Sequence, residues 1–237
     1  MKFKVTKTKF LIAQIACFFL SFPVVLYAQN SQSSLESHGL EWFIASMIKD
    51  NNNNVQINGH PHIVNVPNGE AVYFNGVEDA LFLDENPLEN FEEFTVEMIF
   101  NPEINAPFEQ RVLHIGEVSS DRMLLEIRAI NNHWYFDGFV ASGDSKLALI
   151  DETLLHPLGK WCHVALVVTK NNLSTYVNGK LELMENFSFK PIRSGKTSIG
   201  VRLNKRSWFK GSIYKIKVSP KKLEPDDFMG FELKNNN

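Results

Sequence analysis

The sequence contains only two cysteines, Cys17 and Cys162, among its 237 residues. Cys17 lies in an N-terminal segment that we expect to be removed, so one thiol remains and no internal disulfide can form. A secreted domain without disulfides has to be stabilised by its hydrophobic core. The chain is long enough to bury such a core within one large domain.

Several signatures of catalysis and cofactor binding are also missing. There is no glycine-rich phosphate loop and no Gly-x-Ser-x-Gly motif, which argues against nucleotide-binding and serine-hydrolase sites of those types. Strands do not alternate with helices, as they would in a parallel α/β fold. His60 and His62 are two residues apart, but no carboxylate or third histidine follows at ligand spacing. We therefore predict no bound cofactor.

The first 28 residues have the pattern of a secretory signal peptide. Four lysines between residues 2 and 9 precede an apolar run over residues 10–25, and the small residue Ala28 precedes a polar stretch. The run is interrupted and shorter than the ~20 residues that span a bilayer. We predict cleavage before Gln29, export to the periplasm or the cell exterior, and no membrane insertion afterwards. The alternative is an uncleaved anchor.

The predicted mature chain is acidic. Four of the 24 basic side chains and none of the 27 acidic ones lie in residues 1–28, so residues 29–237 carry a formal charge of −7. A negative surface repels the phosphate backbone of nucleic acids and anionic membranes. We therefore expect neither as a partner.

Three segments follow from the pattern. Residues 1–28 form the signal peptide, and residues 29–54 combine a polar tether with a short helix. Within residues 35–50 the apolar side chains are spaced as one face of a helix, which predicts a lid on the domain rather than a partner-binding helix. Asn51–Asn54 end it, since asparagine favours turns. Residues 55–237 form the main domain.

The main domain is predicted to be all-β. Phe94, Val96, Met98 and Phe100 recur at every second position, with the polar Thr95 and Glu97 between the first three, in the manner of a half-buried strand. Asn178-Gly179 predicts a tight hairpin, because both central residues of a type I′ turn need positive φ. Short strands recur at regular spacing, which favours a two-sheet antiparallel sandwich or a barrel. Predicted strands include 71–74, 80–83, 94–100, 111–117, 122–130, 133–140, 146–150, 161–169, 173–177, 180–183, 197–203 and 208–218.

Six phrases of sequence, in this order and spacing, resemble the laminin-G-like jelly-roll domains of bacterial secreted proteins. That family belongs to the concanavalin-A-like lectin and glucanase superfamily, and the likeness covers about residues 55–228. The resemblance implies a jelly-roll sandwich and a secreted, non-catalytic carbohydrate-binding protein whose partner is a glycan or polysaccharide. The phrases are Gly69–Gly76, Phe94–Glu97, Trp161–Val167, Leu173–Lys180, Phe209–Val218 and Leu223–Phe228.

The resemblance also leaves two other functions open. Hydrolases of the superfamily carry carboxylates spaced i, i+2, i+4 along one strand, where one acts as acid and one as nucleophile. Glu93 and Glu97 do not fit, since Thr95 lies between them and Ile99 follows. A glycoside hydrolase or polysaccharide lyase with a divergent site is therefore the first alternative. A protein–protein adhesion module is the second.

Polar side chains that alternate with apolar ones on the predicted strands are the candidate ligand-binding residues. If they share one exposed sheet face, they form a hydrogen-bonding floor, with Trp134 and Trp208 as stacking surfaces at its edges. Arg128 and Arg202 would then make a positive spot that favours acidic glycans. The candidates are Glu97, Glu126, Arg128, Trp134, Asp137, His163, Arg202 and Trp208.

Calcium is the one cation that the resemblance suggests, at a loop rim. Asp79, Asp84 and Asp137 are the acids available for it, but they do not form a run that would build a cage. Water-exposed loop carboxylates are the simpler interpretation.

Overall fold

Two antiparallel sheets face each other in a sandwich in this computed structural model, which describes residues 39–50, 54–67 and 69–230. The predicted signal peptide and tether lie outside the described residues. Within the described part there are sixteen strands, one α-helix and one short 3-10 helix, Pro225–Asp227. None of the described helices has the length and hydropathy needed to cross a bilayer.

Sheet A is built around the two long strands β6 and β16, and all its pairings are antiparallel. Its strands in spatial order are β14 (Lys180–Asn186), β13 (Asn172–Val177), β12 (Cys162–Val168), β6 (Phe94–Pro102), β16 (Lys210–Ser219), β4 (Gly69–Asn75) and β3 (His62–Val66), with β1 (Leu40–Phe43) also paired to β16.

Sheet B is also antiparallel and centres on β7, β8 and β9. Its strands in spatial order are β10 (Ser145–Ile150), β9 (His133–Ser142), β8 (Arg122–Ile130), β7 (Glu109–Gly116), β15 (Lys196–Ile199), β5 (Ala80–Leu83) and β2 (Val55–Asn58), with β11 (His156–Pro157) paired to β9.

The core lies between the sheets and follows the predicted alternation. On β6, Phe94, Val96, Met98 and Phe100 are buried in it, and β8 contributes a second row of apolar side chains from the opposite sheet. Burial of large apolar side chains stabilises the fold by about 1.5–3 kcal/mol each. The jelly-roll sandwich predicted from the pattern and the resemblance is confirmed.

The N-terminal helix is shorter than predicted. Residues 40–43 are strand β1, and helix α1 spans only Ile44–Lys49. The strand forms because β4 leaves part of the β16 edge unpaired; β1 bonds there and buries Trp42 in the core. Helix α1 contacts β1, β4 and β16 of sheet A and β2 of sheet B. It therefore covers one end of the sandwich, as a lid would.

Local backbone geometry agrees with the predicted hairpin, explains a glycine within a strand and corrects the bounds of another strand. Asn178 and Gly179 have φ of 49° and 76°, so the predicted type I′ hairpin joins β13 and β14. Gly211 lies where a Cβ would be 2.3 Å from Asn101 O, a close backbone approach that only glycine permits. The strand predicted over 197–203 ends at Ile199, because Gly200 turns into the left-handed region at φ +86°.

Candidate functional site

The outer face of sheet B carries a cluster of charged side chains. On β8, Met123, Leu125 and Ile127 point into the core, while Glu126 and Arg128 point outwards. This separation is the one that the alternation predicts. Asp137 of β9 is directly opposite Glu126 on the same face.

Arginines hold the two carboxylates together. The Arg128 guanidinium contacts Glu126 Oε2 at 3.1 Å and Asp137 Oδ2 at 2.5 Å. From β7, Arg111 Nε donates to Glu126 Oε1 at 2.9 Å. Arg111 also pairs with Glu109 and donates to Ser207 Oγ at 2.8 Å. We call Arg111, Glu126, Arg128 and Asp137 the arginine–carboxylate network.

The network is desolvated but nearly neutralised. Glu126 and Asp137 are each only 3% exposed. Burial raises the pKa of Glu126, and the neighbouring Asp137 carboxylate raises it further, whereas Arg111 and Arg128 lower it. Burial likewise raises the pKa of Asp137, against the opposing effect of Arg128. Asp137 Oδ1 is buried and has no hydrogen-bond partner among the described residues. It is the one acceptor of the network left unused.

Glu97 and His163 do not share this face. They lie on β6 and β12, so they belong to the outer face of sheet A, and the single polar strip predicted from the sequence is wrong in this respect. His163 Nε2 contacts Glu97 Oε1 at 3.1 Å, and the Met229 N–H donates to the same oxygen. Alternation along a strand separates inside from outside, but it cannot tell one outer face from the other.

The segment 223–230 covers Glu97 and His163. The Phe228 ring contacts the rings of His163 and Tyr176, with centroids 5.6 and 5.1 Å apart. The segment therefore lies across the outer face of sheet A. A cavity of about 500 Å³ remains beside it, lined in part by Trp161, His163 and Phe228.

The two tryptophans have different environments. Trp134 is fully buried at 0% exposure and packs edge-on against Phe100, so the prediction that it offers a stacking surface is wrong. Because it occupies an inward position of β9, its large side chain fills the core. Trp208 is half-buried in the loop before β16. It follows Ser207, which bonds Arg111, and so it remains near the network.

Arg202 and Arg128 do not form the predicted positive spot together. Arg128 is neutralised by two carboxylates, whereas Arg202 follows β15 and its Nη2 donates to Val118 O at 2.7 Å. Arg111 and Arg122 are charged residues of this face that the sequence analysis missed. Arg111 reaches Glu126 through a register shift between Arg111 and Leu113, which alternation alone cannot reveal.

The acids considered for calcium have other partners. The Asp79 carboxylate accepts from the His60 and Asn75 N–H groups, and Asp84 pairs with Lys196 at 2.7 Å. Asp137 belongs to the network. Within the described residues, no three His, Cys, Asp or Glu side chains are grouped closely enough to hold a metal ion.

Comparison with known proteins supports the fold. A family model described as the concanavalin A-like lectin/glucanases superfamily matches residues 68–228. No curated protein matches the chain. Among solved structures, domain 4 of AbnA, an extracellular GH43 arabinanase from Geobacillus stearothermophilus in complex with arabinotriose, is similar with a TM-score of 0.56 and 16% identity, over 73% of this chain and 84% of that one.

Two further structures share the architecture. The binding domain of botulinum neurotoxin DC in complex with SialylT has a TM-score of 0.53 and 13% identity over 73% of this chain, which spans only 44% of the toxin domain. A heptameric SAP-like pentraxin from Limulus polyphemus has a TM-score of 0.52 and 16% identity, over 65% of this chain and 77% of that one. At such low identities these likenesses establish the sandwich fold alone.

Proposed function

We propose that this chain, which belongs to the concanavalin A-like lectin/glucanases superfamily, is a secreted, non-catalytic carbohydrate-binding protein. The proposed binding surface is the outer face of sheet B, with Glu126, Arg128, Asp137, Arg202 and Trp208 as its residues. Two structural neighbours were solved in complex with arabinotriose and SialylT, which supports the choice of a glycan as ligand.

The unused acceptor of Asp137 carries this proposal. Asp137 Oδ1 is buried beside two arginines and has no donor among the described residues. A buried carboxylate oxygen without a donor is unfavourable by about 1–3 kcal/mol, and a sugar hydroxyl that reaches it as the covering side chains move aside would supply the missing donor. The guanidinium groups beside it can donate further hydrogen bonds to neighbouring hydroxyls.

The same network argues for binding rather than catalysis. A glycosidase needs one carboxyl as a free acid and another free to attack the sugar or to activate water. Here both Glu126 oxygens and one Asp137 oxygen are held by arginines. Moving either carboxylate towards a substrate would break charge-assisted hydrogen bonds.

A glycan-array screen of the purified protein, followed by titration of the best ligand, tests this function. Asp137→Asn keeps the shape of the side chain but removes the charge of the acceptor. We expect it to weaken binding about tenfold or more. Glu185→Gln on the exposed edge strand β14 is the matched control and leaves binding unchanged. If no glycan binds, or both variants bind like the parent, the proposal is wrong.

One observation favours the second candidate, a glycoside hydrolase or lyase with a divergent site. Glu126 and Asp137 are opposite each other, and burial raises the pKa of both, as in many catalytic carboxyl pairs. Incubation with neutral and uronic-acid polysaccharides, followed by assays for reducing ends and for unsaturated products, distinguishes the two. We expect no product. Turnover that Glu126→Gln abolishes would establish the enzyme.

A further inference from the structure

Arg122 lies on the same outer face of sheet B, at the opposite end from Arg128. It begins β8, and residues an even number of positions apart on one strand share a face. The two arginines are six positions apart, which places their Cα atoms about 20 Å apart at ~3.3 Å per residue. The Arg122 guanidinium lies over the Phe139 ring, 4.8 Å from its centroid, and this contact fixes its position.

The loop between β7 and β8 holds Arg122 and Arg202 near each other. Arg122 Nη1 donates to Ser120 O at 2.6 Å, and Arg202 Nη2 donates to Val118 O at 2.7 Å. The two carbonyls are two residues apart in the chain. Burial lowers the pKa of Arg122, and the charge of Arg202 lowers it further, as expected for two cations held close together.

Arg122 and Arg202 lack a close counter-charge. Unlike Arg111 and Arg128, they form no ion pair with any acid of the described residues, and the Glu126 carboxylate acts on Arg122 only from a distance, where it raises the pKa of Arg122. In both side chains the Nε atom is buried, and the described part of the chain provides no acceptor for it. The buried Nε groups are out of reach of a ligand, but both side chains are partly exposed, so the outer N–H donors of the two guanidinium groups are suited to bind an anion.

His114 adjoins the pair without adding to its charge. Its Nε2 is 3.0 Å from Glu117 O, and the Leu203 N–H donates to its Nδ1 at 3.5 Å. Burial lowers the pKa of His114 to about 4, and the charges of Arg202 and Arg122 act in the same direction. The ring is neutral at pH 7, so the positive charge here belongs to the two guanidinium groups.

We infer that Arg122 and Arg202 form a subsite for an anionic substituent, a carboxylate or a sulfate ester, on the glycan bound by this face. The inference rests on the proposed function and specifies its ligand class as acidic polysaccharide. The Cα atoms of Arg122 and Glu126 are four strand positions, about 13 Å, apart. A ligand that covers both positions is longer than a single sugar ring, so we expect an oligosaccharide.

Two pairs of matched polymers test the subsite. Polygalacturonate is compared with its fully methyl-esterified form, and dextran sulfate with dextran, so that each pair differs only in the anionic group. The first pair reports on carboxylate and the second on sulfate. We expect the parent protein to bind at least one anionic polymer about tenfold more tightly than its neutral match, the gain typical of a charge-assisted hydrogen bond.

Substitutions test whether Arg122 and Arg202 cause the preference for the anionic polymer over its neutral match. Arg122→Gln and Arg202→Gln should each remove most of it. Arg122 is not among the residues proposed to bind the neutral glycan, so Arg122→Gln should also leave affinity for the neutral polymer unchanged. Lys180→Gln, which removes an exposed positive charge from sheet A, should leave the preference intact. The thermal midpoint of each variant checks folding. If Arg122→Gln fails to fold, Arg202→Gln, which lies in a loop, decides the question.

The outcomes separate the two proposals. If anionic and neutral polymers bind equally, or if Lys180→Gln reduces the preference as much as the arginine variants do, the subsite is wrong and glycan binding stands. If neither the four polymers nor a glycan array yields a ligand, glycan binding itself is wrong and the subsite is wrong with it.

Discussion

Glu126 and Asp137 lie directly opposite each other on neighbouring strands, and one guanidinium, that of Arg128, bonds both carboxylates. Like charges in this arrangement repel across a sheet unless a cation lies between them. The stability of sheet B and the charge of the proposed binding face therefore depend on the same arginine.

Replacing Arg128 with alanine should destabilise the protein by about 3 kcal/mol at pH 7, because it leaves two buried carboxylates facing each other. Arg128→Lys keeps the positive charge and should therefore reduce the free energy of unfolding by less. The folded-state pKa values of both carboxyls are raised, so protonation favours the folded state as pH falls. The difference in free energy of unfolding between the parent and Arg128→Ala should accordingly become smaller as the pH falls. Urea unfolding of both proteins at pH 7 and pH 5 measures this difference. An equal difference at both pH values would contradict the role of Arg128 in neutralising the two carboxylates.

Because of His114, the free energy of unfolding should decrease as the pH is lowered. Its folded-state pKa of about 4 lies below the ordinary value of 6.5, so the unfolded chain binds the proton more readily. The stabilisation is complete above pH 6.5 and is lost as pH falls towards 4, by about 3 kcal/mol in total. His114→Gln removes this dependence. The difference between parent and variant unfolding free energies, measured from pH 7.5 to 4, reports it; parallel curves would rule it out.

Cys162 should be chemically inert in the folded protein. It is 4% exposed, its thiol faces Phe100 O at 3.5 Å, and burial raises its pKa well above the ordinary value. The reactive thiolate is therefore scarce. We expect no labelling by a thiol reagent until the protein is denatured, and the same thermal midpoint with and without reductant. A large drop on reduction would indicate an intermolecular disulfide.

Removal of the Phe228 side chain should weaken the packing of segment 223–230 on the outer face of sheet A. Phe228 packs on His163 and Tyr176 and is half-buried, so Phe228→Ala should cost about 1–3 kcal/mol, less than for a fully buried ring. Asp226→Ala in the same segment is exposed and serves as control. Glycan binding on sheet B should be unchanged in both. Loss of binding in Phe228→Ala without loss of stability would place the ligand on sheet A instead.

Export should be accompanied by cleavage before Gln29. The four lysines, the apolar run and Ala28 follow the order that signal peptidases recognise. N-terminal sequencing of the protein recovered from the exporting cell tests this. Recovery of a chain that still begins at Met1 would show that the segment is not removed.

The fold could be predicted from the sequence because period-two alternation and turn residues are local. The strand predicted over residues 122–130 has those bounds as β8, and its alternation places Met123, Leu125 and Ile127 in the core. The Asn178-Gly179 hairpin followed from backbone sterics alone. The N-terminal strand β1 could not be found in this way, since Leu40–Phe43 becomes a strand only by pairing with the unoccupied part of β16.

The sequence by itself determined which side chains of each strand face the core, and hence the sandwich. Tertiary structure alone decided which outward-facing residues meet. It placed Glu126, Arg128 and Asp137 together, moved Glu97 and His163 to the other sheet, and buried Trp134. The physical reason is that alternation is a property of one strand, whereas a shared face depends on strand order, bulges and covering loops, which arise from contacts between residues far apart in the chain.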